Sequence, residues 1–198
     1  GAVTGNTRRF GASLEKIKQV VDVRPGEIMF GLNMIVNKGR TIFIGDTSVH
    51  EDPTSEQMAE IAISTARVVR LFGFEPKVAF VSHSTFGQPL TSRTKHIRNA
   101  VEILKEKNVD FQFDGDMQPD VALNSEYEEL YPFAKIVGKA NILIMPGQHS
   151  AAISYKLMKS VGDSKVIGPL LIGLGLPIEI APLRSSTSEI LNLASIAA

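Results

Sequence analysis

The chain has 198 residues, 21 Lys and Arg against 21 Asp and Glu, four His, no Cys and no Trp. That length is ample for a real hydrophobic core, and 43% hydrophobic with 21% charged residues excludes disorder. Zero net charge gives no electrostatic case for nucleic acid or an anionic membrane, and the absence of Cys excludes thiol catalysis, zinc fingers, iron–sulfur clusters and disulfides. No apolar run reaches the roughly 18 residues of a membrane span, and no signal peptide is visible. The expectation is a soluble, cytoplasmic domain.

In chain order, Gly1–Thr4 reads as a strand. The absence of an initial Met there points to a piece of something longer. Phe10, Leu14, Ile17 and Val21 then recur at helical spacing, and Arg24-Pro25-Gly26 ends that helix. Ile28–Val36 and Thr41–Gly45 are β-rich runs separated by the hairpin turn Asn37-Lys38-Gly39-Arg40. Thr54 with Gln57 forms a capping box opening a long helix that Gly73 stops. Lys77–Ser82 is a continuous apolar run, as expected of a strand buried on both faces, and the loop His83–Pro89 follows. Ile97, Val101 and Leu104 line a helix ending near Asn108.

The second half repeats this rhythm. Val109–Phe113 reads as a strand, Asp114–Asp120 as an acidic loop, and short helical pieces run to about Tyr131. Asn141–Met145 is a buried strand, Ser150–Ser160 a helix, Val166–Ile172 and Ile178–Ile180 strands, and Ser186–Ala197 a final helix. Alternating strands and helices imply an α/β fold: an open, mostly parallel sheet with helices on both faces. Ligands of such sheets bind beyond the strands' C-terminal ends, which are the loops at 83–89, 114–120, 146–150, 173–177 and 182–186.

The motifs are individually weak. Gly173-Leu174-Gly175 lacks the third glycine of a dinucleotide fingerprint, and there is no P-loop, HExxH or GxSxG. Asp114, Asp116 and Asp120 could bind a hard cation, or could serve as turn and cap residues. His50, His83, His96 and His149 share no metal-ligand spacing. Ser82–Gly87 offers hydroxyls and free N–H groups suited to a phosphate or acyl oxygen, though ordinary loop chemistry needs the same residues. Arg8, Arg9, Arg93, Lys95 and Arg184 are the basic residues on ligand-side loops. Arg184 precedes Ser185 and Ser186 at a helix N-terminus, where guanidinium, hydroxyls and helix dipole favour an anion; Ser186 with Glu189 is also a capping box.

Several segments together resemble the phosphate acetyl/butyryltransferase family. They are Thr41–Thr47, Asp52–Ile61, Val81–Gly87, Phe113–Gln118, Gly138–Pro146 and Ile167–Pro169, in order along the whole chain. The resemblance implies the three-layer architecture shared with isocitrate and isopropylmalate dehydrogenases. It also implies that the N-terminal part of the family domain lies outside residues 1–198. The family's Asn-Asp-Leu-Ser-Arg-Gly segment, whose Ser and Arg serve catalysis, corresponds to Glu179–Arg184. Pro182 thus stands for the Ser, Leu183 for the Arg and Arg184 for the Gly, while the acidic position survives as Glu189. Arg8, Arg9, Phe10 and Glu15 stand where the family has His-Ser-Thr and a substrate Arg. Tyr155 and Lys156 are retained from the family's Gly-Asn-Ile-Gly-Tyr-Lys.

Acetyl transfer between CoA and phosphate needs a base and fixed cations, so these departures imply a domain without transferase activity and no catalytic residues of its own. The pattern is most similar to the C-terminal domain of large bacterial NADP-dependent malic enzymes. That resemblance implies acetyl-CoA as an allosteric effector and a homodimer or higher homo-oligomer. NADP and Mg or Mn would serve a malate-oxidising domain outside this chain. It implies acetyl-CoA contacts from Arg8, Arg9, Ser84, Thr85, Tyr155, Lys156, Arg184 and Ser185, and no metal ligand. The alternative is an active phosphate acetyltransferase. The apolar residues Ile190, Leu193, Ala194, Ile196 and Ala197 of the final helix suggest the self-association surface.

Overall fold

A computed structural model describes residues 1–198. The order of elements is β1 (Ala2–Gly5), α1 (Phe10–Lys18), β2 (Phe30–Asn37), β3 (Arg40–Gly45), α2 (Ser55–Leu71), β4 (Lys77–Val81) and α3 (Ser92–Glu106). It continues β5 (Gln112–Met117), α4 (Pro119–Leu123), β6 (Ile142–Ile144), α5 (Gln148–Val161), β7 (Lys165–Ile172), β8 (Ile178–Ala181) and α6 (Thr187–Ala197). The main sheet has six strands in the order β5-β4-β6-β3-β2-β7. β3, β4, β5 and β6 pair in parallel, and β2 alone runs against its neighbours β3 and β7. The mostly parallel α/β expectation holds. The β2–β3 turn has positive φ at both central residues, Lys38 (46°) and Gly39 (77°), as a tight hairpin requires.

Alternation along the strands sorts side chains into two cores. Phe43, Val78, Phe80 and Ile142 face α2 and α3, where Met58, Ala62, Ile97 and Leu104 meet them. Ile35, Ile42, Ala79, Val81 and Leu143 face the opposite way, toward Ala122 of α4 and Ala151 of α5. The capping boxes of Thr54 with Gln57 and Ser186 with Glu189 both form. A third, Thr91 with Thr94, opens α3.

Two expectations are corrected. The residues read as an acidic loop continue a strand, because β5 runs to Met117. Its carboxylates are engaged by neighbouring donors, although Asp116 Oδ1 is buried without a partner. Asp114 accepts from the Gly115 and Lys135 amides (2.9 and 2.7 Å), and Asp116 accepts from the Ser84 hydroxyl. Second, β8 is not part of the main sheet. It pairs in parallel with β1 as a separate two-stranded sheet, with Ala2 opposite Ile178 and Gly5 opposite Ala181. α1 packs on this unit through Leu14 and Ile17, in a third cluster with Ile180.

Glu179 of β8 joins the two sheets. Its carboxyl accepts the Leu171 amide of β7 at 2.9 Å, although β7 is the edge of the main sheet. The side chain is only 4% exposed, and burial raises its pKa from 4.5 to about 8. A carboxyl raised in the folded state stabilises most fully below the unfolded value of 4.5 and loses that contribution as pH rises through about 8. Wild-type thermal stability should therefore fall between pH 5 and 8 by an amount on the order of a few kcal/mol. Glu179→Gln, which keeps an acceptor for Leu171, should flatten that slope. Melting curves across the window test this, and parallel profiles for the two proteins would exclude the assignment.

Candidate anion-binding site

β8 runs back along β7, so the loop that follows it, Pro182–Ser185, arrives over the first half of β7. A cavity of about 220 Å³ lies there. Its walls are Tyr155, Lys156 and Lys159 of α5, Val166–Gly168 of β7, the loop Pro182–Ser185, and Glu189, Asn192 and Leu193 of α6. The site thus lies at the seam between the two sheets, and the rule of binding beyond a sheet's C-terminal edge holds only for β8.

Three cations, Lys156, Lys159 and Arg184, face one carboxylate, Glu189. Lys159 Nζ donates to Glu189 Oε1 at 3.0 Å, while Lys156 and Arg184 make no ion pair. The Ser186 amide and the Lys159 ammonium hold the Glu189 carboxyl below its ordinary pKa. Burial pushes the Tyr155 hydroxyl up, and Lys156 Nζ lies 5.7 Å from the Tyr155 ring centroid. The Ser185 hydroxyl donates to the Pro182 carbonyl at 2.8 Å, which shapes the loop.

Four of the eight sequence-derived contact residues, Tyr155, Lys156, Arg184 and Ser185, therefore meet in one cavity. Arg8 and Arg9 are exposed on the neighbouring loop but do not line it; the link is the Asn6 carbonyl, which accepts the Arg184 amide at 3.1 Å. Ser84 and Thr85 lie elsewhere. They follow β4, separated from β7 by β6, β3 and β2, a span of roughly 19 Å at normal strand spacing. Their hydroxyls are committed: Ser84 is fully buried against Asp116, and Thr85 Oγ1 accepts from the Gln118 amide at 3.3 Å. Ser84 and Thr85 therefore do not line this cavity.

The sequence reading assigned no role to Lys159, whose partner lies 30 residues away. Nor did it give Asp46 and His50 a structural role. Asp46, 1% exposed, accepts from the amides of Gly31, Ser48, Val49 and His50 and contacts His50 Nδ1 at 2.7 Å, fixing the loop after β3. No group of three or more His, Asp or Glu is placed to hold a metal ion, and no helix is long and apolar enough to cross a membrane.

A mostly parallel sheet between helices, carrying a second small sheet, is an architecture close to that of solved phosphotransacetylases. A Streptococcus pyogenes phosphotransacetylase structure superposes on 98% of this chain and 60% of its own, with TM-score 0.92 and 30% identity. All of residues 1–198 match the family described as Phosphate acetyl/butaryl transferase, and the chain belongs to that family. Among relatives, an NADP-dependent malic enzyme of Rhizobium meliloti is 44% identical over 198 residues, which is all of this chain and 26% of that protein. A phosphate acetyltransferase of Clostridium acetobutylicum is 34% identical, matching 99% of this chain and 62% of its own length. The chain therefore spans about a quarter of the malic enzyme relative.

Arg184 has φ 62°, in the left-handed region that disfavours a side chain. The family resemblance places glycine at this position. Arg184→Gly should leave the fold intact and stabilise it by about 1 kcal/mol while removing the guanidinium from the cavity. Chemical denaturation tests this, and a loss of stability would mean that the arginine stem packs favourably enough to outweigh the strain.

Proposed function

We propose that this chain is the acetyl-CoA-sensing and assembly domain of a cytoplasmic hybrid NADP-dependent malic enzyme, without transferase activity of its own. Oxidation and decarboxylation of malate to pyruvate, with NADP and Mg or Mn, would belong to a domain outside it. The observation that carries this reading is the cavity at the sheet seam. It gathers three cations, while Pro182 and Leu183 occupy the positions where the family resemblance expects a catalytic hydroxyl and guanidinium. At about 220 Å³ it admits a phosphate or the acyl end of a CoA, not the whole molecule. The rest of an extended ligand would run over the surface, where Arg8 and Arg9 are exposed. Similarity to phosphate acetyltransferases keeps active transfer as the second reading.

Acetyl phosphate and CoA should give no acetyl-CoA in a coupled assay, whereas calorimetry should detect acetyl-CoA binding. Arg184→Ala should weaken that binding roughly ten- to a hundredfold, and Arg184→Lys should recover part of it. Measurable turnover would establish the transferase. Unchanged binding by Arg184→Ala together with loss in Arg8→Ala would move the phosphate to the other loop.

Self-association of the domain would use α5. On α6, Leu193 and Ala197 are buried and Ile190 and Ile196 pack against the core, which leaves Leu191 as its single exposed large apolar residue. On α5, in contrast, Ile153, Leu157 and Val161 form an exposed stripe at i, i+4 and i+8. Leu157→Glu should convert a dimer to monomers at tens of micromolar in sedimentation experiments. A wild-type monomer at that concentration would exclude this assembly.

A further inference from the structure

Glu189 is fixed independently of Lys159. As the third residue of α6 its Oε2 accepts from the Ser186 amide (2.8 Å) and from the Ser186 hydroxyl (3.0 Å), completing the capping box. Lys159 comes from α5, and its side chain is 52% exposed on a flexible stem. The carboxylate is therefore the stationary partner and the ammonium the movable one. An ion pair this exposed is weak and readily exchanged for a better partner. A phosphate supplies that partner, with up to two negative charges and several acceptor oxygens within reach of Lys156, Lys159 and Arg184 together.

We propose that Lys159 is a phosphate-binding residue of this cavity and that Glu189 is its built-in competitor, so that binding exchanges an internal ion pair for one with the ligand. This rests on the reading of the cavity as an anion site. The internal carboxylate holds Lys159 near the cavity in the free protein. It also raises the ligand concentration needed to fill the site, as suits a sensor of an abundant metabolite.

The test is calorimetric titration of the 198-residue chain with inorganic phosphate at constant ionic strength, using wild type, Glu189→Gln, Lys159→Met and the double variant. Gln at the third helical position preserves the capping box, so the substitution removes charge and leaves the helix start intact. Glu189→Gln should tighten phosphate binding roughly three- to tenfold, and Lys159→Met should weaken it by about tenfold. In the Lys159→Met background Glu189→Gln should have a smaller effect, because only repulsion and no competition is then relieved. An equal factor in both backgrounds, or no tightening in Glu189→Gln, overturns the exchange while leaving the anion site standing. Failure of every protein, wild type included, to bind phosphate or acetyl-CoA overturns the site itself and the exchange with it.

Discussion

The bond from the Leu171 amide to the Glu179 carboxyl is the constraint on which the candidate site depends. β7 is an edge strand, and an edge left with open amides invites unwanted pairing. One of those amides is closed by a side chain from a strand of a different sheet. That contact sets β8 running back along β7 and brings Pro182–Ser185 over Val166–Gly168. Without it the Leu171 amide would lose its side-chain acceptor, and the β1–β8 unit a polar tie to the edge of β7. The link requires an acceptor that tolerates burial, and a carboxyl that stays protonated at neutral pH meets that condition without placing a charge in the core.

The loop after β8 shows how local geometry and chemistry part company. Its backbone keeps a left-handed residue at 184, the conformation for which glycine is the least costly choice, although the side chain there is arginine. Two positions earlier a proline closes the strand, its carbonyl taken by the Ser185 hydroxyl. The backbone at 184 thus has the conformation suited to the glycine that the family resemblance places there, and the same resemblance puts Pro182 and Leu183 at the reactive positions. A charged side chain held in a strained conformation at a cavity wall is the feature on which the proposed binding role of Arg184 rests.

Much of the fold was legible because its determinants are local. Two of the three long-helix capping boxes, the tight hairpin and the buried apolar strands all announce themselves within a few residues. The errors came where a partner lies far along the chain. Asp114 and Asp116 read as loop residues because nothing nearby reveals that Lys135 and Ser84 will donate to them inside β5. The departure of β8 from the main sheet is likewise non-local, being decided by pairing with residues 2–5. The same limit applies to the site. Arg184 and Ser185 stand out by their place before a helix N-terminus, Tyr155 and Lys156 come only from the family resemblance, and Lys159 carries no local signal because its carboxylate lies on another helix. Ser84 and Thr85, chosen for their loop chemistry, serve to tie β4 to β5.

Two glutamates ten residues apart set the electrostatics around the cavity in opposite ways. Glu179 is buried and its carboxyl is raised to about 8, so near neutrality it adds little to the electric field of the site. Glu189 sits at the rim, and the Ser186 amide with Lys159 keeps it ionised below the ordinary carboxylate range. A general base works best with a pKa close to the operating pH, and a carboxylate held low by two donors removes a thiol proton poorly. Tyr155 is shifted the wrong way as well, since burial raises its hydroxyl above an already high value. The cavity therefore gathers Lys156, Lys159 and Arg184 around one carboxylate that is held low. The proposed role, a site that senses its ligand and releases it unchanged, rests on that excess of positive charge.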